Sequence, residues 1–365
     1  MQQQWFHISN IDTIDSPALA FYPARISENI RTAITMAGDV QRLRPHVKTN
    51  KTAEVCSMML QQGITRFKCA TIREAAMLAQ VQAPDVLLAY QPVGPKIQRL
   101  LQLVKEYPHT TFSCVTDNEA QARAIAAVFE QAGSSIGIYI DLNVGMNRTG
   151  IVPGEAALQL YTLCRTLPGL HIKGLHAYDG QIHDATEEAR KTQADTGFAP
   201  VANMMEAIQQ QTGKRPAVIA GGSPSFEAHI AREQVELSPG TFVFWDKGYA
   251  QMMPDQRFHY AALVLTRVIS IVNKELLTLD LGHKAIAPEM PQPRVYFLNH
   301  PGATIVAQSE EHLVVQVPDT SVHSIGDVWY GVPHHVCPTV SMYDEAQVIE
   351  NHTAVQTWKI TARGR

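Results

Sequence analysis

Two patterns of apolar and polar residues alternate over residues 20–252. Short apolar runs predict β-strands, and the segments between them carry apolar residues at three- and four-residue spacing, which predicts amphipathic helices. The predicted strands are 41–47, 65–69, 86–90, 110–115, 136–142, 172–176, 217–220 and 235–238. The predicted helices are 51–62, 71–80, 94–106, 116–131, 154–167 and 185–211.

The helix ends carry signals that support these boundaries. Thr71 stands three residues before Glu74, the spacing of a capping box. Gly63, Gly133 and Gly213 follow helices at the position where glycine commonly ends one. Eight strands alternating with helices predict an α/β fold, the (β/α)8 barrel of the TIM type. We favour it over a doubly wound sheet because the number of units closes at eight.

The pattern changes at residue 253, where apolar runs begin to follow one another without predicted helices between them. This pattern predicts a second, mostly antiparallel β domain. We expect residues 1–19 and 253–365 to form that domain and residues 20–252 to form the barrel.

Composition and charge exclude several classes of function. The formal net charge is −4, with 45% hydrophobic and 18% charged residues, so a nucleic-acid partner or an anionic membrane surface is not expected. The apolar runs are too short to cross a bilayer. The five scattered cysteines favour a reducing, cytoplasmic location over a disulfide framework.

Two glycine-containing loops follow the last two predicted strands of the barrel. Gly222 and Ser223 precede Pro224, which predicts a helix start with Ser223 as its cap and free backbone N–H groups for an anion. Gly240 and Thr241 offer a second set after strand 8. Barrels commonly bind phosphate at these two loops, although "GGS" alone is often only a tight turn.

Lys48 ends the first predicted strand, across the barrel mouth from those loops. A phosphate-bearing carbonyl cofactor that bonds to a lysine points to pyridoxal 5′-phosphate (PLP). The positive charge of Arg44 would make the Lys48 amine easier to deprotonate. The alternative is a solvated lysine, which is the usual fate of this residue type.

Further polar candidates follow strands 5 and 6. Arg148 could donate to the phenolic oxygen of the cofactor ring, or it could form a loop salt bridge. Tyr178 could lie near the pyridine, and His183 could act as a general base because imidazole titrates near neutrality. His176 and Asp179 could line the ring, and each of these residues could equally be a packed loop residue.

A candidate metal site lies near the C-terminus. His335 and Cys337 are two residues apart, so in a strand their side chains would face the same way and could hold one ion. Two ligands are too few for structural zinc, but a catalytic site keeps positions for water and substrate. A thiolate ligand favours Zn²⁺ over Mg²⁺, and the alternative is two structural residues.

The ordered set of motifs resembles the D-threonine aldolase/D-serine dehydratase family, enzymes of the alanine racemase fold that use PLP and a divalent metal. The resemblance runs from about residue 16 to the C-terminus. The motifs are RPHVKTNK (44–51), KCATIREAAMLA (68–79), DLNVGMNRTG (141–150), GLHAYDGQIH (174–183), GGSPSF (221–226), SPGTFVFWDKGY (238–249), HVCPTV (335–340) and ARGR (362–365).

The resemblance implies roles for the candidate residues. Lys48 would bond to PLP, Arg148 would contact the ring oxygen, and Tyr178 would lie near the ring nitrogen. His335 and Cys337 would hold the metal, with Zn²⁺ favoured and Mn²⁺ or Mg²⁺ possible. The phosphate would be bound by Ser223, Gly240 and Thr241. The resemblance also implies a homodimer and a small D-amino acid as substrate. The chain departs from the family at Asn50, where histidine is expected.

The predicted function is a lyase acting on β-hydroxy D-amino acids. We favour retro-aldol cleavage of a D-threonine-type substrate to glycine and an aldehyde. The alternative is dehydration of D-serine or 3-hydroxy-D-aspartate to a keto acid and ammonia. Three further alternatives are less favoured. An amino-acid racemase needs two opposed bases and no metal, so the predicted metal site argues against it. A basic amino-acid decarboxylase would leave His335 without a role. A non-catalytic PLP-binding protein would lack the second domain.

Overall fold

The structure is a computed structural model that describes residues 4–365. Those residues contain nine α-helices and sixteen strands. The helices are α1 (Pro23–Ala37), α2 (Ala53–Gln61), α3 (Ile72–Gln80), α4 (Pro95–Glu106), α5 (Glu119–Gln131), α6 (Glu155–Thr166), α7 (Glu187–Thr212), α8 (Lys247–Met252) and α9 (Val336–Val340). The strands are β1 (Ala18–Phe21), β2 (Arg66–Cys69), β3 (Asp85–Leu88), β4 (Thr111–Thr116), β5 (Ile136–Asp141), β6 (Leu170–Ala177), β7 (Ala217–Ala220), β8 (Val235–Leu237), β9 (Ala262–Ile271), β10 (Leu276–Leu279), β11 (Val295–Phe297), β12 (Thr304–Gln308), β13 (Leu313–Gln316), β14 (Val328–Pro333), β15 (Glu345–Glu350) and β16 (Thr353–Lys359).

The chain divides into two compact units. The β unit contains the residues up to Ile30 together with 49–55 and 241–364, and the barrel unit contains residues 31–48 and 56–240 with Arg365. The β unit therefore takes in the short segment that follows Lys48, which the predicted domain division did not separate.

The barrel unit is built on a parallel sheet with the order β2-β3-β4-β5-β6-β7-β8. Seven of the eight predicted strands are present. Residues 41–47 were predicted as the first strand, but 41–42 belong to a 3-10 helix, Val40–Arg42, and the segment after it makes only isolated bridges to both edges, Leu43 to Leu237 and His46 to Lys68. The sheet is therefore closed by this segment, and the predicted α/β barrel is confirmed.

A proline explains why the closing segment is not a regular strand. Pro45 lacks an N–H group and cannot donate to a ladder. The segment instead uses separate bonds, from Arg44 N to Leu237 O at 2.8 Å and from His46 N to Pro239 O at 2.9 Å. On its other side Lys68 N donates to Pro45 O at 2.8 Å.

The local signals of the helices are confirmed. The Thr71 hydroxyl accepts the Glu74 N–H at 3.1 Å, which caps α3. Gly63, Gly133 and Gly213 have φ values of 90°, 60° and 72°, in the left-handed region that favours glycine.

The predicted helix start at Ser223 and Pro224 is wrong. The chain forms only a four-residue 3-10 helix, Phe226–His229, with Ser225 at its N-cap. The residues before it make a tight turn in which Phe226 N donates to Gly222 O at 2.9 Å. A single short turn has few aligned peptide dipoles, so an anion here would depend on individual N–H and O–H groups.

The β unit contains a nine-stranded sheet. Its main order is β12-β13-β10-β9-β1-β15-β16, with β14 paired to β9 and β11 to β14. The pairs are antiparallel except β1 with β15. The predicted second domain is thus mostly antiparallel, and the N-terminal strand β1 belongs to it.

A buried guanidinium ties together three segments of the barrel. Arg44 is 1% exposed, and it donates to Asp85 at 2.6 Å and to Glu236 at 2.5 Å. Two carboxylates therefore pair with the charge that we expected to act on Lys48, and the role predicted for Arg44 stays a prediction. Its geometry indicates a structural ion pair.

Between Gln4 and Arg365, no helix combines the length and apolar composition that crossing a membrane requires. The five cysteines are free thiols.

Candidate active site

Three cationic side chains surround the ring of Tyr178. The Lys48 Nζ lies 5.9 Å from the ring centroid, the Lys68 Nζ 5.2 Å and the Arg148 Cζ 5.4 Å. Lys48 ends the closing segment, Lys68 lies in β2, Arg148 follows β5, and Tyr178 follows β6. Because the strands are parallel, their carboxyl ends meet at one face of the barrel, which brings these residues together.

A buried row of three groups supports this cluster. The His176 Nδ1 lies 2.7 Å from Asp141 Oδ1, and its Nε2 lies 3.5 Å from the Lys68 Nζ. Burial alone would raise the pKa of Asp141, but the hydrogen bonds from His176 and Thr149 lower it below its usual range. Burial lowers the pKa of His176, so the ring is neutral at pH 7 and donates its Nδ1–H to the carboxylate.

Asp179 holds the loop after β7. Its carboxylate accepts the Ser225 hydroxyl at 2.6 Å and the His229 Nε2–H at 2.7 Å. The Ser225 oxygen in turn accepts the Gly222 N–H at 3.0 Å. Asp179 is 4% exposed, so these bonds lie away from water. A residue that we expected to line the cofactor ring therefore positions the predicted phosphate loop.

The predicted phosphate-binding residues of the barrel unit are close together. Gly240 N donates to the Ser223 hydroxyl at 3.1 Å. A Cβ atom added to Gly222 would lie 3.1 Å from the Tyr178 ring, so this loop borders the cationic cluster. Thr241 belongs to the β unit, where its hydroxyl lies 3.5 Å from the Cys337 sulfur.

His335 and Cys337 come together, but not in the predicted strand. His335 is the N-cap of α9 and Cys337 lies in its first turn. The Cys337 sulfur lies 3.2 Å from the Thr49 hydroxyl and within hydrogen-bonding reach of His335. The two side chains meet because the backbone of His335 is extended (φ −129°, ψ 104°), so its side chain lies outside the helical spacing and can approach Cys337 in the first turn.

Carboxylates flank His335 on two sides. Glu289 accepts the His335 Nδ1–H at 2.6 Å. Asp246 is buried and accepts the Tyr249 and Val336 N–H groups at 2.9 and 3.0 Å. Burial raises the pKa of Asp246 to about 6. Burial lowers the pKa of His335, but its bond to Cys337 and the nearby carboxylates outweigh burial and raise that pKa to about 9.

The donor set around His335 fits a divalent metal. An imidazole whose Nδ1–H is held by a carboxylate presents Nε2 to an ion, which is the usual arrangement of a metal-binding histidine. A thiolate beside it is a zinc ligand. Over the described range 4–365, three or more His, Cys, Asp or Glu side chains do not converge on one point, so the set is an open two-residue site.

A small cavity adjoins the His335 ring. It has a volume of about 160 Å³, and its lining combines one buried acid with apolar side chains. The residues that line it are Asp246, Gly248, Tyr249, Met252, Met290, His334 and His335.

The other candidates take different positions. His183 is exposed in the loop between β6 and α7, so its role as a base stays a prediction. The Asn143 side chain accepts the N–H groups of Gly145 and Asn147 at 3.1 Å, which shapes the loop leading to Arg148. Asn50 is buried and accepts the Thr52 N–H at 3.1 Å.

Sequence reasoning missed three residues. Lys68 interrupts a buried strand, and a lysine at an inward-facing position was a signal that could have been read. Asp246 and Glu289 had no such signal, because they lie far from His335 in the chain.

Two family matches divide the chain in the same order as the two sheets. The alanine racemase N-terminal domain matches residues 23–247, and the serine dehydratase domain matches residues 261–349. The first match covers more than half of the chain. The protein therefore belongs to the alanine racemase N-terminal domain family, as the motifs predicted.

Individual relatives span nearly the whole chain. It is 29% identical to the D-threonine aldolase of an Arthrobacter species, covering 96% of this chain and 93% of that one. It is 28% identical to the 3-hydroxy-D-aspartate aldolase of Paracoccus denitrificans, with coverage of 96% and 93%. The D-threo-3-hydroxyaspartate dehydratase of Delftia is 25% identical, with coverage of 95% and 97%.

Solved structures agree with the fold. The crystal structure of D-threonine aldolase from Filomicrobium marinum superposes with a TM-score of 0.89 at 26% identity, covering 99% of this chain and 98% of that one. The chain thus combines an alanine racemase barrel with the second domain found in D-threonine aldolase and its hydroxyaspartate-acting relatives, and the predicted fold is confirmed.

Proposed function

We propose that the protein is a PLP-dependent lyase that cleaves β-hydroxy D-amino acids to glycine and an aldehyde, aided by a divalent metal. The observation that carries this proposal is the cluster of Lys48, Lys68 and Arg148 around Tyr178. Three cationic groups that converge beside glycine- and serine-containing loops form a site for an anionic ligand, and Lys48 supplies a primary amine. The named relatives support a lyase.

The barrel residues would hold the cofactor as follows. The Lys48 Nζ bonds to the PLP aldehyde, Arg148 donates to the ring oxygen, and Tyr178 packs near the ring nitrogen. The phosphate is bound by Gly222, Ser223, Gly240 and Thr241. When bound, PLP delocalises the electron pair that remains on the substrate α-carbon after bond cleavage.

Two groups of this chain would move protons. The Lys48 Nζ would hold a proton and deliver it to the substrate α-carbon to complete glycine. His183 stays our proposed base for the substrate hydroxyl, since an imidazole can accept a proton and this residue lies on the loop after β6.

His335 and Cys337 would hold the metal, with Zn²⁺ favoured for the thiolate and Mn²⁺ or Mg²⁺ as alternatives. When bound, such an ion polarises the substrate hydroxyl and lowers its pKa. Glu289 orients the His335 ring through Nδ1. A metal-free form of a cysteine-to-alanine mutant is known for the Delftia dehydratase, which speaks for a metal in that relative.

The cavity beside His335 supports a D-threonine-type substrate over 3-hydroxy-D-aspartate. Tyr249, Met252 and Met290 give it an apolar wall that suits a methyl or larger apolar β-substituent. Asp246 lines the same cavity, and its negative charge disfavours a second carboxylate. Met290→Arg should therefore raise kcat/KM for 3-hydroxy-D-aspartate relative to D-threonine, and an unchanged ratio would contradict this assignment.

Dehydration is the second candidate, favoured by the similarity to the Delftia dehydratase over 95% of this chain. Both reactions start from the same substrate class. Product analysis separates them, because cleavage of D-threonine gives glycine and acetaldehyde, whereas dehydration gives a keto acid and ammonia.

The test of the proposal is covalent and spectroscopic. Purified protein incubated with PLP should gain a visible absorption band, and borohydride reduction should place the label on the peptide containing Lys48. Lys48→Ala should lose both, whereas Lys105→Ala, a change at an exposed lysine of α4, should keep both. Label on other lysines in the wild type would refute the proposal. A racemase would retain turnover after chelation, and the proposed lyase would lose it.

The proposal includes a homodimer, which family resemblance supports. Light scattering should give twice the chain mass of 40.3 kDa.

A further inference from the structure

Lys68 is a fully buried amine without a carboxylate partner. The residue is 2% exposed, and the one hydrogen-bonding contact of its Nζ in residues 4–365 is with His176 Nε2 at 3.5 Å. Burying an unpaired ammonium costs several kcal/mol, roughly the size of a protein's net stability. A lysine at such a position is therefore expected to serve a function rather than the fold.

The surroundings of Lys68 make its amine a hydrogen-bond donor to His176. Asp141 receives the Nδ1–H of the neutral ring, so the Nε2 lone pair faces the Lys68 Nζ. The row Asp141, His176 and Lys68 fixes the amine beside Tyr178, 5.2 Å from the ring centroid. Its other N–H bonds remain available to a ligand.

We propose that Lys68 is a second functional lysine of the site, which His176 and Asp141 hold so that its amine contacts the cofactor bound by Lys48. This inference rests on the proposed function. It goes further by assigning to Lys68 a hydrogen bond to the cofactor, donated by an amine whose charge depends on pH.

The charges that face Lys68 set the pH at which it changes state. Burial is the main cause that lowers the pKa of Lys68, and it brings the value to about 7. The charged groups that act on it from the neighbouring segments are Lys48 and Arg44, which lower it, and Asp179 and Asp141, which raise it. Lys68 is therefore an ammonium in mildly acidic solution and an amine in mildly alkaline solution, and its proton is released to solvent.

The experiment follows the visible absorption of the PLP-loaded protein from pH 5.5 to 9. The wild type should show a one-proton spectral change with a midpoint close to neutrality. Lys68→Met should show the alkaline spectrum throughout, and Lys68→Arg the acidic one, because a guanidinium stays charged. Asp141→Asn should move the midpoint to lower pH, since the carboxylate stabilises the ammonium.

Controls separate this inference from the proposed function and from misfolding. Lys173→Met makes the same change at an exposed lysine of β6 and should leave the midpoint in place. Borohydride labelling of Lys48 in every variant shows that the site is folded. A midpoint that persists in Lys68→Met, or a wild-type spectrum without a transition, overturns the role of Lys68 alone. A wild-type protein that never develops the band overturns the proposed function as well.

Discussion

Asp179 offers a sharp test of how the barrel loop is held. Its carboxylate accepts hydrogen bonds from Ser225 and His229 at 2.6 and 2.7 Å, and it lies away from solvent. Asp179→Ala removes both acceptors at once. The hydroxyl and the imidazole N–H are then buried without partners, and the loop that carries Gly222 loses its anchor.

The size of the effect follows from the two bonds. A hydrogen bond to a charged group contributes about 1.5–3 kcal/mol, so Asp179→Ala should lower the free energy of unfolding by about 3–6 kcal/mol. Asp179→Asn keeps one carbonyl oxygen, which can accept from His229 but not also from Ser225. Asp179→Asn should therefore lower the free energy of unfolding by about half as much as Asp179→Ala.

Urea unfolding followed by far-UV circular dichroism is the suitable measurement, because α3–α7 lie in the barrel unit. Tryptophan fluorescence would report the other unit, since the four tryptophans, at positions 5, 245, 329 and 358, lie there. The matched control must remove a carboxylate outside the Asp179 network. Asp195 is linked to this network through Arg232 and His229, so Glu119→Ala takes its place as control: that carboxylate of α5 is exposed and pairs with Arg123 at 2.8 Å, and its loss should cost at most about 1 kcal/mol.

A double-mutant cycle shows whether the network acts as a unit. Ser225→Ala in the Asp179→Ala background should cost about 1–2 kcal/mol less than in the wild type, because its partner is already absent. The reasoning would fail if the two changes were additive, or if Asp179→Ala and Glu119→Ala destabilised the protein equally. PLP affinity should fall in parallel with the loss of the loop anchor.

Three other outcomes follow from the structure. Arg44→Met leaves two carboxylates without their buried partner and should lower the free energy of unfolding by about 3–5 kcal/mol in the same urea assay; a loss below about 1 kcal/mol would show that the ion pair is dispensable. In the folded state the pKa of Lys68 is about 7, against 10.5 for an ordinary lysine. Between these pH values the unfolded state binds one proton more than the folded state, so the free energy of unfolding of the wild type rises with pH. Lys68→Met should therefore exceed the wild type in stability by most near pH 7, and the difference should shrink by up to about 1.4 kcal/mol per pH unit towards pH 10; a constant difference would contradict the buried charge. Glu289→Gln should weaken zinc binding about tenfold in a chelator competition by loosening the His335 ring, whereas Glu311→Gln, at an exposed carboxylate, should not; equal affinities would show that Glu289 does not orient the ligand.

The local features of the fold were predictable because they depend on residues close in the chain. Six helices and seven barrel strands follow from apolar spacing, and the cap at Thr71 follows from the residue three positions later. Two local predictions were wrong. Pro45 prevents a regular first strand, and the hydrogen bonds to Asp179 favour a tight turn over a helix after Ser223.

The candidate site was predictable only in part. Lys48, Arg148 and Tyr178 could be named because they stand at strand ends, and strand ends share one face of a barrel. Lys68 was missed although a lysine at an inward-facing position is a signal, because a strand of four residues gives the alternation of faces little support. His335 and Cys337 were named from their spacing, although the strand expected to present them is the start of α9.

The order of helices and strands, the change of pattern at residue 253 and the reactive side chains at the strand ends could be read from the amino-acid order, since they depend on short-range spacing and on residue chemistry. Which distant groups meet depends on the folded chain. Closure of the barrel brings Lys68 to His176, 108 residues away, and folding of the β unit brings Glu289 to His335, 46 residues away. Those contacts set burial and charge, and thereby the protonation of the site, because electrostatic energies depend on distance in space and on exclusion of water rather than on separation along the chain.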